Sequence, residues 1–295
     1  MVNEKTVILI TGPTASGKTS LAIQVAQHFN TEIISADSRQ CYVEMNIGVA
    51  KPSTAELNAV PHHFINSHSI HQDVNAAMFS SYAHSVAEKI FANRDVLVMA
   101  GGTGLYIRAF VEGLDDITSI DPSIRSQLIA DYQKNGIGWL QSEVMKLDPV
   151  FYASAETSNP QRLLRALEVI MGTGKSIKTF QKNNQQSGCP YTVKKFAIEI
   201  SRDQLYNNIN MRVDAMMGKG LLDEARQLYP YKHLNALQTV GYSELFDYMD
   251  NKYSLNLAVE KIKQHTRNYA KRQLTWIRKD SDVKWITGMS DIIKT

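Results

Sequence analysis

Gly12-Pro13-Thr14-Ala15-Ser16-Gly17-Lys18-Thr19 satisfies the spacing G-x-x-x-x-G-K-[ST] in full. The glycines let the backbone curl so that successive N–H groups point inward at phosphate oxygens. The N-terminus of the helix that follows adds a partial positive charge. Lys18 brings a full charge to a terminal phosphate, and the Thr19 hydroxyl is an oxygen ligand of the kind Mg²⁺ takes. This is chemistry for a phosphate chain and not, by itself, for nucleotide hydrolysis. Hydrolytic loops of this type work with an acid that ends another strand. The apolar run Val96–Ala100 ends instead in Gly101-Gly102-Thr103-Gly104, and the acid sits after a different run, at Asp37. Asp37 has two readings: a general base at a strand end facing the cleft, or a cap for a turn or helix start together with Ser35 and Ser38.

Two other constellations imitate sites. Gly172-Thr173-Gly174-Lys175-Ser176 resembles a phosphate loop, but Val169 stands where its first glycine belongs and a helical run precedes it. Gly172 and Gly174 read as a helix end. His62, His63, His68 and His71 with Asp73 fit no common zinc spacing and read as a polar loop.

These residues need elements to hold them. Val7–Ile10 is a continuous apolar, β-branched run before the glycine loop, the pattern of a strand buried on both faces. Leu21, Ala22, Val25, Ala26 and Phe29 then recur at helical spacing, so the order is strand, loop, helix. Glu32–Asp37 and Val96–Ala100 are further strands, with an amphipathic helix through Phe79, Tyr82, Ala83, Val86, Ala87 and Ile90 between them. Strands alternating with helices predict an α/β fold with a P-loop NTPase-like parallel sheet and a site at the strand C-termini. From about residue 115 to 190 the strand-like runs vanish, and Asn135-Gly136, Asp148-Pro149, Asn159-Pro160 and Ser187-Gly188 punctuate helical stretches. The expected organisation is a core of residues 1–114 and 191–295 with an all-helical insertion of 115–190. Lys195–Ile200 returns to the sheet. A long helix follows, with a seam of Val259, Ile262, Thr266, Tyr269, Gln273 and Trp276, and with Lys261, Lys263, Arg267, Lys271 and Arg272 mainly off it.

Composition sets few limits. The 295 residues suffice for a large core and an appendage, and 43% hydrophobic with 21% charged residues is ordinary for a globular chain. A net charge of +3 permits a polyanionic partner without demanding one. Two cysteines outside any CxxC pair make no disulfide framework. The N-terminal apolar run is too short for a signal peptide or membrane span, so no membrane role and a cytoplasmic location are expected.

Several motifs in one order resemble the tRNA dimethylallyltransferases of bacterial type. They are Ile33–Gln40, Asn46–Pro52, Pro61-His62-His63, Gly101–Tyr106, Asn159–Glu168, Thr239–Tyr242 and Thr266–Trp276, spread over nearly the whole chain. The resemblance implies transfer of a dimethylallyl group from dimethylallyl diphosphate to N6 of the adenine at position 37, beside the tRNA anticodon. It implies that Gly12–Thr19 holds the diphosphate leaving group with Mg²⁺ on Thr19, although the family is often described as binding ATP there. Asp37 would accept the amine proton and Lys18 would stabilise charge on the departing diphosphate, with Thr103 the third catalytic residue. Arg212 matches an arginine that reaches the diphosphate. Thr103 matches a residue near adenine and donor, and otherwise reads as a helix N-cap. For tRNA the resemblance implicates Asp37, Ser38, Arg39, Gln40, Thr103, Arg125, Gln161, Arg162, Leu163, Leu164, Arg165, Gln238, Thr239, Val240, Gly241, Tyr242 and Ser243. The helical insertion would close on the anticodon arm, whose loop bases can be splayed out and read. Arg162 and Arg165, three apart on a helix, could both face phosphate or belong to a solvated face. The basic C-terminal helix is likewise a tRNA contact or a soluble outer face.

Some relatives carry arginine or cysteine where this chain has Gln238, Thr239 and Ser243, so the role of that segment carries over better than its single contacts. An enzyme of the type without a zinc-finger extension after Trp285, and a monomer, are expected. Rival readings are an adenylate (AMP or ATP) prenyltransferase, a P-loop small-molecule kinase and a non-catalytic RNA-binding module, which would leave Lys18, Thr19 and Asp37 without a role.

Overall fold

The computed structural model describes residues 4–115, 117, 119–180 and 189–294. Two compact units emerge, one of residues 1–111 with 189–295 and one of residues 112–188. The sequence pattern had drawn these borders at 115 and 190. Its Ser187-Gly188 break lies outside the described residues.

The first unit begins with β1 (Thr6–Thr11), α1 (Lys18–His28), β2 (Ile33–Ala36), α2 (Thr54–Ala59), β3 (His62–His63), α3 (Ala76–Phe91), β4 (Val96–Gly101) and α4 (Gly104–Val111). The second contains α5 (Pro122–Leu147), α6 (Pro149–Tyr152), α7 (Pro160–Thr173) and α8 (Ile177–Phe180). The first then resumes with β5 (Thr192–Ile198), α9 (Arg202–Gly218), α10 (Leu221–Leu228), α11 (Tyr242–Met249), α12 (Leu255–Ile277), β6 (Lys284–Ile286) and α13 (Met289–Ile293).

Six parallel strands form one sheet in the order β3-β2-β4-β1-β5-β6. The central strand β1 is buried from Val7 to Ile10, as its unbroken apolar run requires when helices cover both faces. α1 buries Leu21, Ala22, Ile23, Val25 and Ala26 beneath it. Register decides where the loops meet. Thr11 lies opposite Gly101, and Gly101 lies opposite Ala36. The C-terminal ends of β1, β4 and β2 therefore sit side by side, and the loops after them share one edge.

Two strands escaped the sequence pattern. β3 has only two residues and sits inside the histidine-rich stretch expected as a loop, while β6 has three residues in a region expected to be helical. Both are edge strands, too short to show a period. In the second unit Leu128, Leu140, Val144, Leu163, Leu164, Ala166 and Leu167 form a separate core. α5 is broken at Gly136, whose φ of 76° suits glycine. Asn159 caps α7 through the N–H groups of Gln161 and Arg162, and Gly174 ends it at φ 69°, as expected of the false phosphate loop.

Candidate active site

The glycine loop joins β1 to α1 with Ala15 at φ 64° and Gly17 at φ 91°. Lys18 Nζ donates to the Pro13 carbonyl at 2.7 Å, which folds its ammonium over the loop. Burial first, and Arg212 second, bring the Lys18 pKa down to about 7, against the opposing pull of Asp37. Two cations thus face each other in a space shaped for a polyanion. Arg212 comes from α9 and its Nη1 donates to Thr14 Oγ1 at 3.4 Å. Burial lowers its pKa, and Asp37 again opposes the shift. From one turn earlier on α9, Asn208 Nδ2 donates to the Ala15 carbonyl at 3.2 Å. The Ser16 hydroxyl is buried with no hydrogen-bond partner among the described residues. A cleft of about 250 Å³ opens over this loop, and Lys18, Thr19, Asp37 and Arg212 all line it.

Asp37 follows β2. Its Oδ1 accepts from the N–H groups of Arg39 at 2.8 Å and Gln40 at 3.2 Å. The cap reading is therefore correct for one oxygen. It does not consume the carboxylate, since Asp37 also lines the phosphate cleft and a second, more apolar cleft of about 120 Å³. That second cleft has Val49, Val213, Met216 and Ile262 on its walls, with Thr239, Thr266 and Tyr269 beside them. Burial, then the Asp37 charge, push the Tyr269 phenol up to about 12, so it remains a donor at neutral pH. Tyr269 and Thr266 thus face the cleft rather than packing in the seam expected for α12, whose buried face is Ala258, Ile262, Ala270, Gln273 and Ile277.

Thr103 does not use its side chain to cap α4. Its Oγ1 accepts from the Ser38 N–H at 3.1 Å and its own N–H donates to the Ala36 carbonyl. The hydroxyl points across to the Asp37 loop.

The residues implicated in tRNA contact separate into two kinds. Tyr242 is fully buried and its hydroxyl donates to Glu224 Oε1 at 2.6 Å, so it is a strut and not a contact. Leu163 and Leu164 are buried in the core of the second unit, where they seat α7. Gln40 spends its side chain inside the loop, donating to the carbonyls of Val49 and Ala50 and accepting from Ser35. Arg39 Nη1 donates to the carbonyls of Asn235 and Ala236, tying the Asp37 loop to the approach of the 238–243 segment. Ser38, Thr239, Val240 and Gly241 line the apolar cleft. Gln238 is exposed, and Ser243 lies half-buried in the first turn of α11. In the second unit Arg125 Nη1 and Arg165 Nη1 reach the same Glu168 carboxylate, at 2.7 and 3.1 Å, and Arg125 Nη2 donates to Gln161. Arg162 turns instead to Glu156 at 3.7 Å and is the more exposed of the α7 pair.

Sequence reasoning missed Glu224. Its carboxylate accepts from the N–H groups of Asn46, Ile47 and Gly48 and from Tyr242, and so joins the Asn46–Pro52 motif to the Thr239–Tyr242 motif. A side chain on Gly48 would strike the Tyr242 ring at 2.6 Å. No local pattern marks Glu224, because its four partners lie elsewhere in the chain. The histidines disperse: His62 bonds the Val60 carbonyl, His63 pairs with Glu32 and His68 with Ser67. Among the described residues no three histidine, cysteine or acidic side chains gather into a metal cluster. No helix among them is long and apolar enough to cross a membrane.

A family model described as IPP transferase matches residues 40–280. The chain is 49% identical over 280 residues to a tRNA dimethylallyltransferase of Christiangramia forsetii, covering 94% of this chain and 92% of that one. It is 43% identical over 296 residues to one of Flavobacterium johnsoniae, covering 97% and 94%. A crystal structure of the tRNA isopentenylpyrophosphate transferase of Bacillus halodurans superposes with a TM-score of 0.70 at 35% identity, over 96% of this chain and 90% of that chain. A eukaryotic dimethylallyltransferase acting on tRNA gives a TM-score of 0.79 at 25% identity, over 99% and 76%.

Proposed function

Because the chain belongs to the IPP transferase family, we propose that it transfers a dimethylallyl group from dimethylallyl diphosphate to N6 of the adenine beside a tRNA anticodon. The observation that carries the residue assignment is the placement of Asp37 on both clefts at once. On one side lies a cationic cradle for a diphosphate, and on the other an apolar space suited to a short prenyl chain and a base.

The amine of adenine is a weak nucleophile, since its lone pair is delocalised into the ring. It attacks the allylic carbon attached to oxygen. The C–N bond forms as the C–O bond to diphosphate breaks, and the N6 proton passes to Asp37. Negative charge growing on the departing diphosphate is met by Lys18, Arg212 and the loop N–H groups. The Ser38-to-Thr103 bond sets the wall against which the base lies.

Oxygen donors in the cleft suit a hard cation. Among the described residues no three acidic, histidine or cysteine side chains gather around the cleft, which suits Mg²⁺, an ion that takes much of its shell from phosphate and water. Thr19 would hold the ion, which when bound neutralises charge on the leaving group.

The second unit supplies the tRNA grip in this reading. Arg125 and Arg165 present two guanidiniums organised by one buried carboxylate, a geometry suited to backbone phosphate.

Labelled dimethylallyl diphosphate with Mg²⁺ and, separately, unmodified tRNA, AMP or ATP tests the proposal. Label on a tRNA adenine is the expected result. Label only on AMP makes the acceptor a free nucleotide, and phosphate transfer from ATP without prenyl transfer makes the protein a kinase.

A further inference from the structure

The Gly101–Gly104 and Thr266–Trp276 motifs lie far apart in sequence and meet at one buried amide. Gln273, on α12, is 7% exposed. Its Oε1 accepts from the Thr14 N–H of the glycine loop at 2.7 Å, and its Nε2 donates to the Gly102 carbonyl at 3.0 Å. One planar group therefore bridges the end of β1 and the end of β4. The bridge is polar in a fixed sense: the amide oxygen accepts from an N–H at one end and the amide nitrogen donates to a C=O at the other. The glycines on either side of Thr103 are its seats. A side chain at Gly102 would come within 2.1 Å of Gln273 Nε2, and one at Gly104 within 2.5 Å of the Trp276 ring. Helix α12 thus presses Gln273 and Trp276 onto the two residues flanking Thr103.

We propose that Gln273 is a positioning residue that holds the diphosphate cradle and the Thr103 loop in register, so that donor and acceptor meet at the reacting distance. This rests on the prenyl-transfer reading above. Transfer between two bound groups depends steeply on their separation, and a misplacement of about 1 Å is enough to cost about a hundredfold. Gln273 touches neither the reacting carbon nor the amine in this assignment. It acts through the Thr14 N–H and the Gly102 carbonyl.

Gln273→Glu keeps the volume, loses the donor to Gly102 and sets a carboxylate beside the diphosphate. Gln273→Ala removes both bonds. For both variants kcat/KM for the donor should fall about ten- to a hundredfold while tRNA affinity stays close to that of the parent, and the stranded Thr14 N–H and Gly102 carbonyl should lower the thermal midpoint of Gln273→Ala. Gly102→Ala should show a similar loss, because its methyl displaces the amide. Joined to Gln273→Ala it should cost no more than it does alone, as expected for residues acting through one contact. Unchanged donor kinetics overturn the proposal. So do fully additive losses, or a loss matched equally in tRNA affinity. If the unaltered protein prenylates no acceptor, the functional reading fails separately. Calorimetry with pyrophosphate then decides on Gln273: binding about tenfold weaker in Gln273→Glu supports its placement, and unchanged binding overturns it.

Discussion

The backbone N–H of Ser38 donates to the hydroxyl of Thr103 at 3.1 Å across 65 residues of sequence. This bond joins the loop after β2 to the loop after β4. It lies next to the Asp37 carboxylate, which caps the same turn with one oxygen. Capping and the proposed general-base role therefore fall on one side chain, and substitutions can separate them.

Asp37→Asn keeps an acceptor for the Arg39 and Gln40 N–H groups but has no basic oxygen. Turnover should fall by about 10² to 10⁴ with tRNA affinity nearly unchanged. Asp37→Ala should lose the same activity and about 1 kcal/mol of stability in addition. Single-turnover kinetics, filter binding and thermal unfolding measure the three quantities. Equal loss of turnover and tRNA affinity in Asp37→Asn would remove the general-base role.

Lys18 makes phosphate binding pH-dependent. Its folded pKa of about 7 lies below the ordinary 10.5, so between these values the unfolded chain holds more protons and stability rises with pH. A bound diphosphate favours the charged amine. Binding should therefore take up a proton above pH 7 and weaken as pH rises further. Pyrophosphate titrations in buffers of different ionisation enthalpy should detect that proton, and Lys18→Met should abolish the uptake as well as weaken binding.

Glu224 anchors the loop whose Val49 lines the apolar cleft. Glu224→Ala strands three N–H groups and the Tyr242 hydroxyl, and should cost about 3 kcal/mol. Tyr242→Phe removes one bond and should cost about 1 kcal/mol. Denaturant unfolding compares them. A Glu224→Ala variant as stable as Tyr242→Phe would show that the backbone contacts contribute nothing.

In the second unit, buried and charged residues should respond differently. Leu164→Ala empties core space and should cost about 2–5 kcal/mol of that unit's stability. Arg125→Gln should leave folding largely intact, weaken tRNA binding and lower the slope of log affinity against log salt by about one. A salt slope unaltered by Arg125→Gln would mean that this arginine meets no phosphate.

The glycine loop was legible because its pattern is local. Gly12 to Thr19 is a contiguous stretch whose glycines, lysine and threonine each have one reason to be there. The strands around it were legible because buried parallel strands are written as unbroken apolar runs, and the helices because apolar residues recur at their period. β3 and β6 were not, since two or three residues carry no period and are held only by a neighbouring strand. Tyr242, Leu163 and Leu164 illustrate a different limit. A motif marks a segment as important without saying which side chains face inward, and the fold buries Tyr242, Leu163 and Leu164.

From sequence alone came the phosphate cradle, the α/β core with its helical insertion and the resemblance to a tRNA-modifying family. Tertiary structure decided how the parts are joined: Ser38 to Thr103, Glu224 to the 46–48 loop, and Gln273 between Thr14 and Gly102. A hydrogen bond between residues far apart in the chain leaves no trace in spacing or periodicity. It exists only once strand register has brought the two loops to the same edge of the sheet.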